Sequence, residues 1–276
     1  MNKKLLLLLG HRLAIMAYLI FALFPIYWLF KISITPNKLL YKDGIAMWPS
    51  ETTWENFASV WSNSEFPTFF ANSLIVSLGT AVLVTILASG AGYAFSRFRF
   101  RGKVFLSGVL LITQMFPLVI IIAPIYKIMA PLGLTDSLLG LIILYSAFNI
   151  PFATFLMQSF FDGIPQDLEE AAMTDGCTRF QALHKVIVPL TLPGMAATLG
   201  FVFTAAWSEL LFALMMINNN SNMTFPVGLL SFVSKFAVEW GQMMAAGVMA
   251  LLPACLFFIF IQRYLVKGLT AGAVKG

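Results

Sequence analysis

Charged residues are scarce in this sequence. Asp, Glu, Lys and Arg make up 11% of the 276 residues, whereas 59% are hydrophobic and the mean hydropathy is +0.87. Soluble domains are about 25% charged, and so few charges cannot cover a water-facing surface around this much apolar material. The composition therefore excludes an ordinary soluble domain and indicates an integral membrane protein.

Metal-binding and catalytic patterns are also missing. Cys177 and Cys255 have no metal-ligand spacing, and His11 and His184 stand alone. The sequence contains no H-E-x-x-H zinc motif, no G-x-S-x-G nucleophile elbow and no G-x-x-x-x-G-K-[ST] phosphate loop. Its basic residues are scattered among loops, which disfavours nucleic acid as a partner. We therefore expect no enzyme activity, and no metal or cofactor held by this chain.

A built-in energy source for transport is absent as well. Proton- and sodium-driven carriers usually place interacting ionisable groups within their membrane spans. Here Glu209 is the only clear acid within the apolar stretches, and those stretches hold no basic partner for it. If the chain moves a solute uphill, another polypeptide must supply the work. An autonomous carrier or facilitator remains the alternative.

What is present is a series of long apolar stretches. Six of them can cross a hydrocarbon core of about 30 Å as helices of about 20 residues. They lie near residues 13–30, 72–95, 104–126, 138–161, 194–217 and 241–262. The first follows Lys3 and Lys4, as in a signal peptide, but it resumes after Arg12 and no A-x-A cleavage site follows. The sequence predicts an all-α, multi-pass membrane protein with one transmembrane domain over residues 1–276.

The basic residues are distributed unevenly between the loops. With the N-terminus in the cytoplasm, twelve of the 17 Lys and Arg residues fall on the inside and five on the outside. Cytoplasmic loops collect Lys and Arg. This asymmetry predicts that both termini are cytoplasmic, together with the polar segment 162–193 and the tail 263–276.

The polar segment 162–193 interrupts the apolar sequence and predicts two short helices. Acidic residues follow Pro165, where the helix dipole favours carboxylates. Gly176 is suited to end the first helix in the left-handed conformation, and Thr178 can cap a second helix that runs to about Pro189. A solvated loop would explain the polarity of this hairpin but not two capped helices.

One side of the first helix carries small residues. Leu168, Ala171 and Ala172 are expected to form a face that another protein can approach closely. The function of the hairpin is then to bind a partner in the cytoplasm.

The run EEAAMTDGCTRFQALHKVIVPLTLPG resembles the EAA signature of the membrane subunits of bacterial ABC importers. That signature is Glu-Ala-Ala, three residues, Gly, nine residues and Ile-x-Leu-Pro. The run Glu170–Ala172, Gly176 and Pro189 match it, whereas Val186 and Val188 replace the isoleucine and leucine. The resemblance identifies the chain as an importer membrane subunit.

Other segments narrow the resemblance to the carbohydrate-uptake class, and to its maltose-transporter-type second membrane subunit. They are NSLIVSLGTAVLVTILASGAGYAFSRFRFRGK at 72–103, TLPG at 191–194, FPVGL at 225–229 and GLTAGAVKG at 268–276. The resemblance implies a type I importer fold in the bacterial inner membrane, surrounded by lipid. It also implies a second, different permease subunit, two subunits that bind ATP and Mg, and a soluble sugar-binding protein.

The same resemblance implies roles for residues of the hairpin. Glu170 would pair with an arginine of the ATPase, and Gly176 would permit the turn after the coupling helix. The residues expected to couple to the ATPase are Glu169, Glu170, Ala171, Ala172, Asp175 and Gly176. The tail 263–276 would insert between the two ATPase subunits, the alternative being an end held by anionic lipid headgroups.

Polar and aromatic residues at one depth on three spans suggest a pathway for the sugar. Sugars are bound by hydrogen bonds to hydroxyls and by aromatic faces, at concave sites. The candidates are Gln114, Tyr145, Asn149, Trp207, Ser208 and Glu209. The alternative is that these polar groups bond between helices only to hold the bundle together. Ser208 replaces an asparagine that the family usually carries, which leaves its substrate contact open.

Two outside segments are candidates for binding a partner. The segment NNNSNMTFPVGLL resembles a loop that enters the cleft of the binding protein, which implies contacts from Asn219, Asn220, Ser221 and Asn222. The segment WPSETTWENFASVW predicts a short amphipathic helix with Trp54, Phe57 and Trp61 on one side. That helix lies either at the lipid interface or against an outside partner.

Overall fold

The computed structural model describes residues 3–62, 65–234 and 238–273, and these residues are almost entirely helical. No β-strand occurs among them; an isolated bridge joins Val233 and Val238. The helices are α1 Lys3–Ser33, α2 Asn37–Asp43, α3 Glu55–Ser62, α4 Phe66–Arg97, α5 Lys103–Thr113, α6 Leu118–Met129, α7 Leu138–Asp162, α8 Asp167–Thr174, α9 Arg179–Ala182, α10 Val188–Trp207, α11 Leu211–Met216, α12 Phe225–Gly228 and α13 Trp240–Ala273. Short 3-10 turns occupy Asn220–Asn222 and Leu229–Phe232.

Five helices in the described part of the chain are long and apolar enough to cross a membrane, and a bent pair raises the number to six. The all-α, six-span prediction is thus confirmed when α5 and α6 count as one span. The span predicted near 104–126 is broken rather than a single helix, because α5 and α6 meet at an angle of 103°. Pro117 precedes α6 and cannot donate a backbone hydrogen bond, and it disfavours helical geometry at Phe116.

The fifth span differs from the sequence prediction at both ends. The second hairpin helix was expected to stop near Pro189, but one helix runs from Arg179 to Trp207. A π turn at Leu183–Ile187 precedes the proline, and such a wide turn accommodates a residue that cannot donate to the preceding turn. The helix then breaks before Leu211, within the stretch predicted to continue to residue 217.

The chain forms two compact units, and the first contains Met1–Pro67 and Gly228–Leu252. Asn56 anchors α3 to the end of α1, since its amide donates to the carbonyls of Ser33 at 2.9 Å and Thr35 at 3.1 Å. Asn37 donates to a carboxylate oxygen of Glu239 at 2.7 Å. These contacts give the segment between α1 and α3 a fixed structure.

The predicted aromatic side of α3 is largely exposed. Trp54, just before α3, is 65% exposed and Trp61 is exposed as well, whereas Phe57 is half-buried. The Trp54 ring lies 6.3 Å from that of Phe30 and 5.4 Å from that of Phe57. An exposed aromatic side fits both a lipid interface and an outside partner. Each interpretation stays a prediction.

The second unit, Thr68–Val227 and Pro253–Gly276, contains the hairpin. Glycines allow two close helix crossings. A Cβ on Gly92 of α4 would lie 2.7 Å from the backbone nitrogen of Gln158 in α7, and one on Gly194 of α10 would overlap the ring of Phe160 in α7. Small residues let helix backbones approach in this way. The crossings hold α4 and α10 against α7, which fixes the spans from which the hairpin emerges.

The expectations for the two ends of the chain fall partly outside the described residues. The side chains at 1–8, with Lys3 and Lys4, lie outside them, as do those at 263 and 265–276. The predicted tail 263–276 begins within α13, and its last three residues are not described. The orientation of the termini and the role of the tail stay predictions.

Candidate coupling site and membrane cavity

The hairpin folds as its capping residues predict. Gly176 has a φ of +91°, in the left-handed region that glycine adopts without a steric penalty. The backbone nitrogen of Cys177 donates to the Ala172 carbonyl at 3.0 Å, which closes the end of α8. Thr178 and Gln181 then form a capping box at the start of α9. The two helices are therefore joined by a defined turn.

The residues expected to couple to a partner divide between two sides of α8. Glu170, Ala171, Asp175 and Gly176 are exposed, whereas Glu169 and Ala172 are buried. The single small-residue face predicted with Ala172 is thus wrong. Successive helical residues point about 100° apart, because a turn holds about 3.6 residues. The exposed side of α8 contains Leu168, Ala171 and Asp175, at helical spacings of three and four residues.

Glu169 faces the end of α4 within its own chain. The Tyr93 hydroxyl donates to Glu169 Oε1 at 2.5 Å, and Arg97 Nε lies 3.3 Å from Glu169 Oε2. The side chains of Arg97 and Glu169 are only 4% and 5% exposed, and the Nε group is not aligned for a hydrogen bond. Glu169 is therefore held in a buried ion pair rather than presented to solvent.

Arg97 also holds the turn that leads into the hairpin. Its Nη2 donates to the Ile164 carbonyl at 2.8 Å, and its Nη1 donates to Ser96 Oγ at 3.2 Å. Ser96 in turn donates to Asp162 Oδ1, at the end of α7, at 2.6 Å. The end of α4 is thus bonded to the end of α7 and to the start of the hairpin.

A cavity of about 330 Å³ lies within the second unit, at the level of the break between α5 and α6. It brings together Gln114, Tyr145, Asn149 and Glu209 from three predicted spans. Its lining is completed by Thr113, Phe116, Leu118, Phe148, Ala205, Ala206 and Phe212. Polar groups and aromatic rings in one concave site are the combination that sugar binding requires.

Glu209 caps the helix that follows the break in the fifth span. Its carboxylate accepts the backbone N–H of Phe212 at 2.9 Å and that of Ala213 at 3.2 Å, and the Tyr145 hydroxyl donates to it at 2.6 Å. Three donors offset the cost of placing a carboxylate at this depth. Glu209 thus has a structural role and also lines the cavity.

The two amides of the cavity also bond to the protein. Gln114 donates to the Phe148 carbonyl at 3.2 Å, and Asn149 donates to the Tyr145 carbonyl, one turn earlier in α7, at 2.8 Å. These bonds fix the orientation of both side chains. The Gln114 bond joins two helices, as the helix-holding interpretation predicts, whereas the Asn149 bond lies within α7. Solute binding by these residues stays a prediction.

Trp207 and Ser208 do not line this cavity. Trp207 is 5% exposed and stacks on Phe203 at 5.8 Å and on Phe225 at 5.3 Å. The Ser208 hydroxyl donates to the Thr204 carbonyl in its own helix at 2.9 Å. The prediction grouped both with Glu209, but neighbouring residues of a helix end point in different directions.

The segment 217–225 is tightly anchored. Asp136 Oδ1 accepts the N–H groups of Asn218 at 3.2 Å and Asn219 at 3.0 Å, and the Asp136 carbonyl accepts the Asn222 amide at 2.7 Å. Asn72 donates to the Ser221 carbonyl at 2.8 Å. Of the four predicted contact residues, Asn219, Asn220 and Ser221 are exposed and Asn222 is half-buried.

The family described as "Binding-protein-dependent transport system inner membrane component" matches residues 85–271, which include the hairpin and the cavity. The chain belongs to this family. It is an inner-membrane permease rather than an enzyme, and the predicted importer family is confirmed.

Relatives match the permease over nearly its whole length. The diacetylchitobiose uptake system permease protein DasC of Streptomyces coelicolor is 36% identical over 92% of this chain and 92% of its own. The trehalose/maltose transport system permease protein MalG of Thermococcus litoralis is 33% identical over 99% of this chain and 98% of its own. These matches support the predicted maltose-transporter-type subunit.

A solved structure confirms the fold. A chain of a bacterial ABC transporter that imports the acidic polysaccharide alginate has a TM-score of 0.80 and 22% identity, covering 96% of the permease and 98% of that chain. The permease therefore has the type I importer fold that the EAA resemblance implied.

Sequence reasoning missed four residues that organise these sites. Tyr93 and Arg97 bind Glu169, while Asp136 and Asn72 hold the segment after α11. The charged end of α4 in the sequence SRFRFRGK was the available signal for Arg97. Nothing local pointed to Asp136, whose partners lie more than 80 residues away.

Proposed function

We propose that this permease forms half of the translocation pathway of an ATP-driven importer for a sugar or sugar derivative. The observation that carries the proposal is the whole-length similarity to permeases named for diacetylchitobiose and for trehalose/maltose. The other half is a second, different permease subunit. Two cytoplasmic subunits bind ATP and Mg, a soluble sugar-binding protein delivers the solute outside, and this chain itself holds no cofactor.

The hairpin is proposed as the site of coupling to the ATPase, with both termini and segment 162–193 in the cytoplasm. Leu168, Glu170, Ala171 and Asp175 form an exposed side that fits a partner's cleft, and the absence of bulky groups at Ala171 lets the partner approach closely. The helix from Arg179 to Trp207 runs without a break from the hairpin into the fifth span. Rigid-body movement of the ATPase is then transmitted, because no flexible loop separates the hairpin from this span.

The 330 Å³ cavity is proposed as part of the solute pathway. Gln114 and Asn149 supply amide groups, Glu209 an acceptor, and Tyr145 and Phe148 aromatic surface. Residues on both sides of the break between α5 and α6 line the cavity. Such a break is tolerated in membranes where the backbone lines a water-filled space.

Asn219, Asn220 and Ser221 are proposed to contact the binding protein. They are exposed on a turn that Asp136 and Asn72 hold in place. A fixed turn loses little conformational entropy on docking. Asn222 contributes by holding the turn, since its amide donates to the Asp136 carbonyl.

Reconstitution into liposomes tests the proposed function. The complete importer, with a trehalose- or chitobiose-type sugar and its binding protein, is expected to accumulate sugar only when ATP is enclosed with the ATPase subunits. The permease alone is expected to give no saturable flux. Saturable, ATP-independent sugar flux through the permease alone would instead show an autonomous carrier.

A further inference from the structure

Two adjacent carboxylates of α8 differ in their exposure. Glu170 is exposed on the side proposed to meet the ATPase, whereas the Glu169 side chain is 5% exposed and lies against α4. The Glu169 oxygens meet Tyr93 at 2.5 Å and Arg97 at 3.3 Å. Glu169 therefore acts within this chain, and its role differs from that of its neighbour.

The last turn of α4 contacts each part of the hairpin. Arg97 reaches Glu169 in α8 and the Ile164 carbonyl in the turn before it. The guanidinium of Arg179, at the start of α9, lies over the Phe98 ring at 5.2 Å. Residues 93–98, at the end of α4 and just after it, therefore contact both hairpin helices.

A buried ion pair constrains motion more than an apolar contact does. Burial of apolar surface is non-directional and requires no fixed distance between two particular atoms. A buried carboxylate needs its donors at fixed distances, and separation leaves both charges uncompensated. The contact between α8 and α4 therefore resists sliding.

We infer that Glu169 and Arg97 form a clamp that makes α4 move together with the coupling helix. Movement of the ATPase then enters the membrane through α4 as well as through the continuous helix that ends at Trp207. Glu169 and Arg97 are positioning residues, since they act through the helices they join. The inference rests on the proposed coupling function of the hairpin.

The test uses the complete importer in liposomes and the variant Glu169→Gln, which keeps the shape of the side chain and removes its charge. The matched control is Lys185→Gln, which removes an exposed charge from the part of the hairpin outside α8. The measurement is ATP hydrolysis with and without sugar-loaded binding protein, together with uptake. The ATPase subunits are quantified in each purified complex.

We expect Glu169→Gln to retain its ATPase subunits and basal hydrolysis within about twofold of the wild type, and to lose stimulation and uptake by about tenfold, within the usual range of coupling between sites. Lys185→Gln should resemble the wild type. A purely structural role would lower the amount of complex without changing the ratio of stimulated to basal hydrolysis. Wild-type stimulation and uptake in Glu169→Gln would overturn the clamp.

A double-mutant cycle tests whether the two residues act as a pair. The variant with both Glu169→Gln and Arg97→Gln should lose no more stimulation than Arg97→Gln alone, whereas additive losses would contradict the clamp. If Glu169→Gln loses its ATPase subunits, Tyr93→Phe, which removes one hydroxyl, is measured in the same way. A lower ratio of stimulated to basal ATP hydrolysis in Tyr93→Phe supports the clamp, and a wild-type ratio contradicts it.

The proposed function and the clamp fail in different ways. Wild-type importer that shows no ATP-dependent uptake and no stimulation by the binding protein would refute the proposed function. An importer that transports normally, but is insensitive to loss of the Glu169 charge, would refute the clamp alone.

Discussion

At the scale of single residues, neighbours in sequence have different roles. Glu169 is buried against Tyr93 and Arg97, while Glu170 is exposed. The sequence predicted both acids as coupling residues, since the motif names residue types and not the side of the helix on which each lies. Glu169 could be assigned to the buried side only from its partners Arg97 and Tyr93, which lie 72 and 76 residues away along the chain.

Gly176→Ala tests the turn of the hairpin. Residues with a Cβ are disfavoured at a φ of +91°, by about 1–2 kcal/mol. No atom lies within 4 Å of the added Cβ, so crowding contributes nothing. If this strain opposes docking, ATP-dependent uptake should fall roughly 5- to 30-fold. Gly163→Ala is the control, because Gly163 has a φ of −72° in the same connection; equal uptake by both variants would contradict this role of Gly176.

Glu209→Ala tests the cap of α11. The change leaves the Tyr145 hydroxyl and the N–H groups of Phe212 and Ala213 without their acceptor, which costs about 1–3 kcal/mol for each buried group left unpaired. We expect a lower thermal unfolding temperature of the purified complex. Ser208→Ala should leave it nearly unchanged, since Ser208 bonds only within its own helix turn. An unfolding temperature for Glu209→Ala equal to that of Ser208→Ala would show that Glu209 is not a structural cap.

At the scale of elements, apolar length predicted the spans and local capping residues predicted the hairpin. The break in the fifth span and the size of the bend in the third were not predicted, because hydropathy does not register a change of helix direction. Pro189 was taken to stop a helix, but the π turn before it accommodates the ring. Capping signals act locally and are therefore readable, whereas tolerance of a proline depends on the helices around it.

Gly92→Ala tests the crossing of α4 and α7. The added Cβ would lie 2.7 Å from the backbone nitrogen of Gln158, and backbone atoms cannot rotate away. Overpacking of this kind costs about 1–3 kcal/mol. Gly90→Ala, on the same helix with nothing within 4 Å, is the control. The thermal unfolding temperature should fall for Gly92→Ala alone, and a parallel effect in both variants would contradict the close crossing.

At the scale of the whole molecule, the sequence was sufficient for the membrane class, the family and the position of the hairpin. These depend on composition and on contiguous motifs, such as Glu170–Ala172 with Gly176. The lining of the cavity could be predicted only in part. Trp207 and Ser208 lie where a helix ends, and the sequence does not determine the direction in which their side chains point. The solute and its partners are expectations from the relatives.

The exposed side of α8 is proposed to meet an ATPase subunit in the assembled importer. Site-directed crosslinking detects this contact, in a background where Cys177 and Cys255 are replaced by serine. A cysteine placed at Ala171, on the exposed side, is compared with one placed at Ala172, on the buried side. We predict that Ala171→Cys crosslinks to the ATPase subunit in a transport-competent complex and that Ala172→Cys does not. A transport-competent complex in which Ala171→Cys forms no crosslink to that subunit would contradict the account.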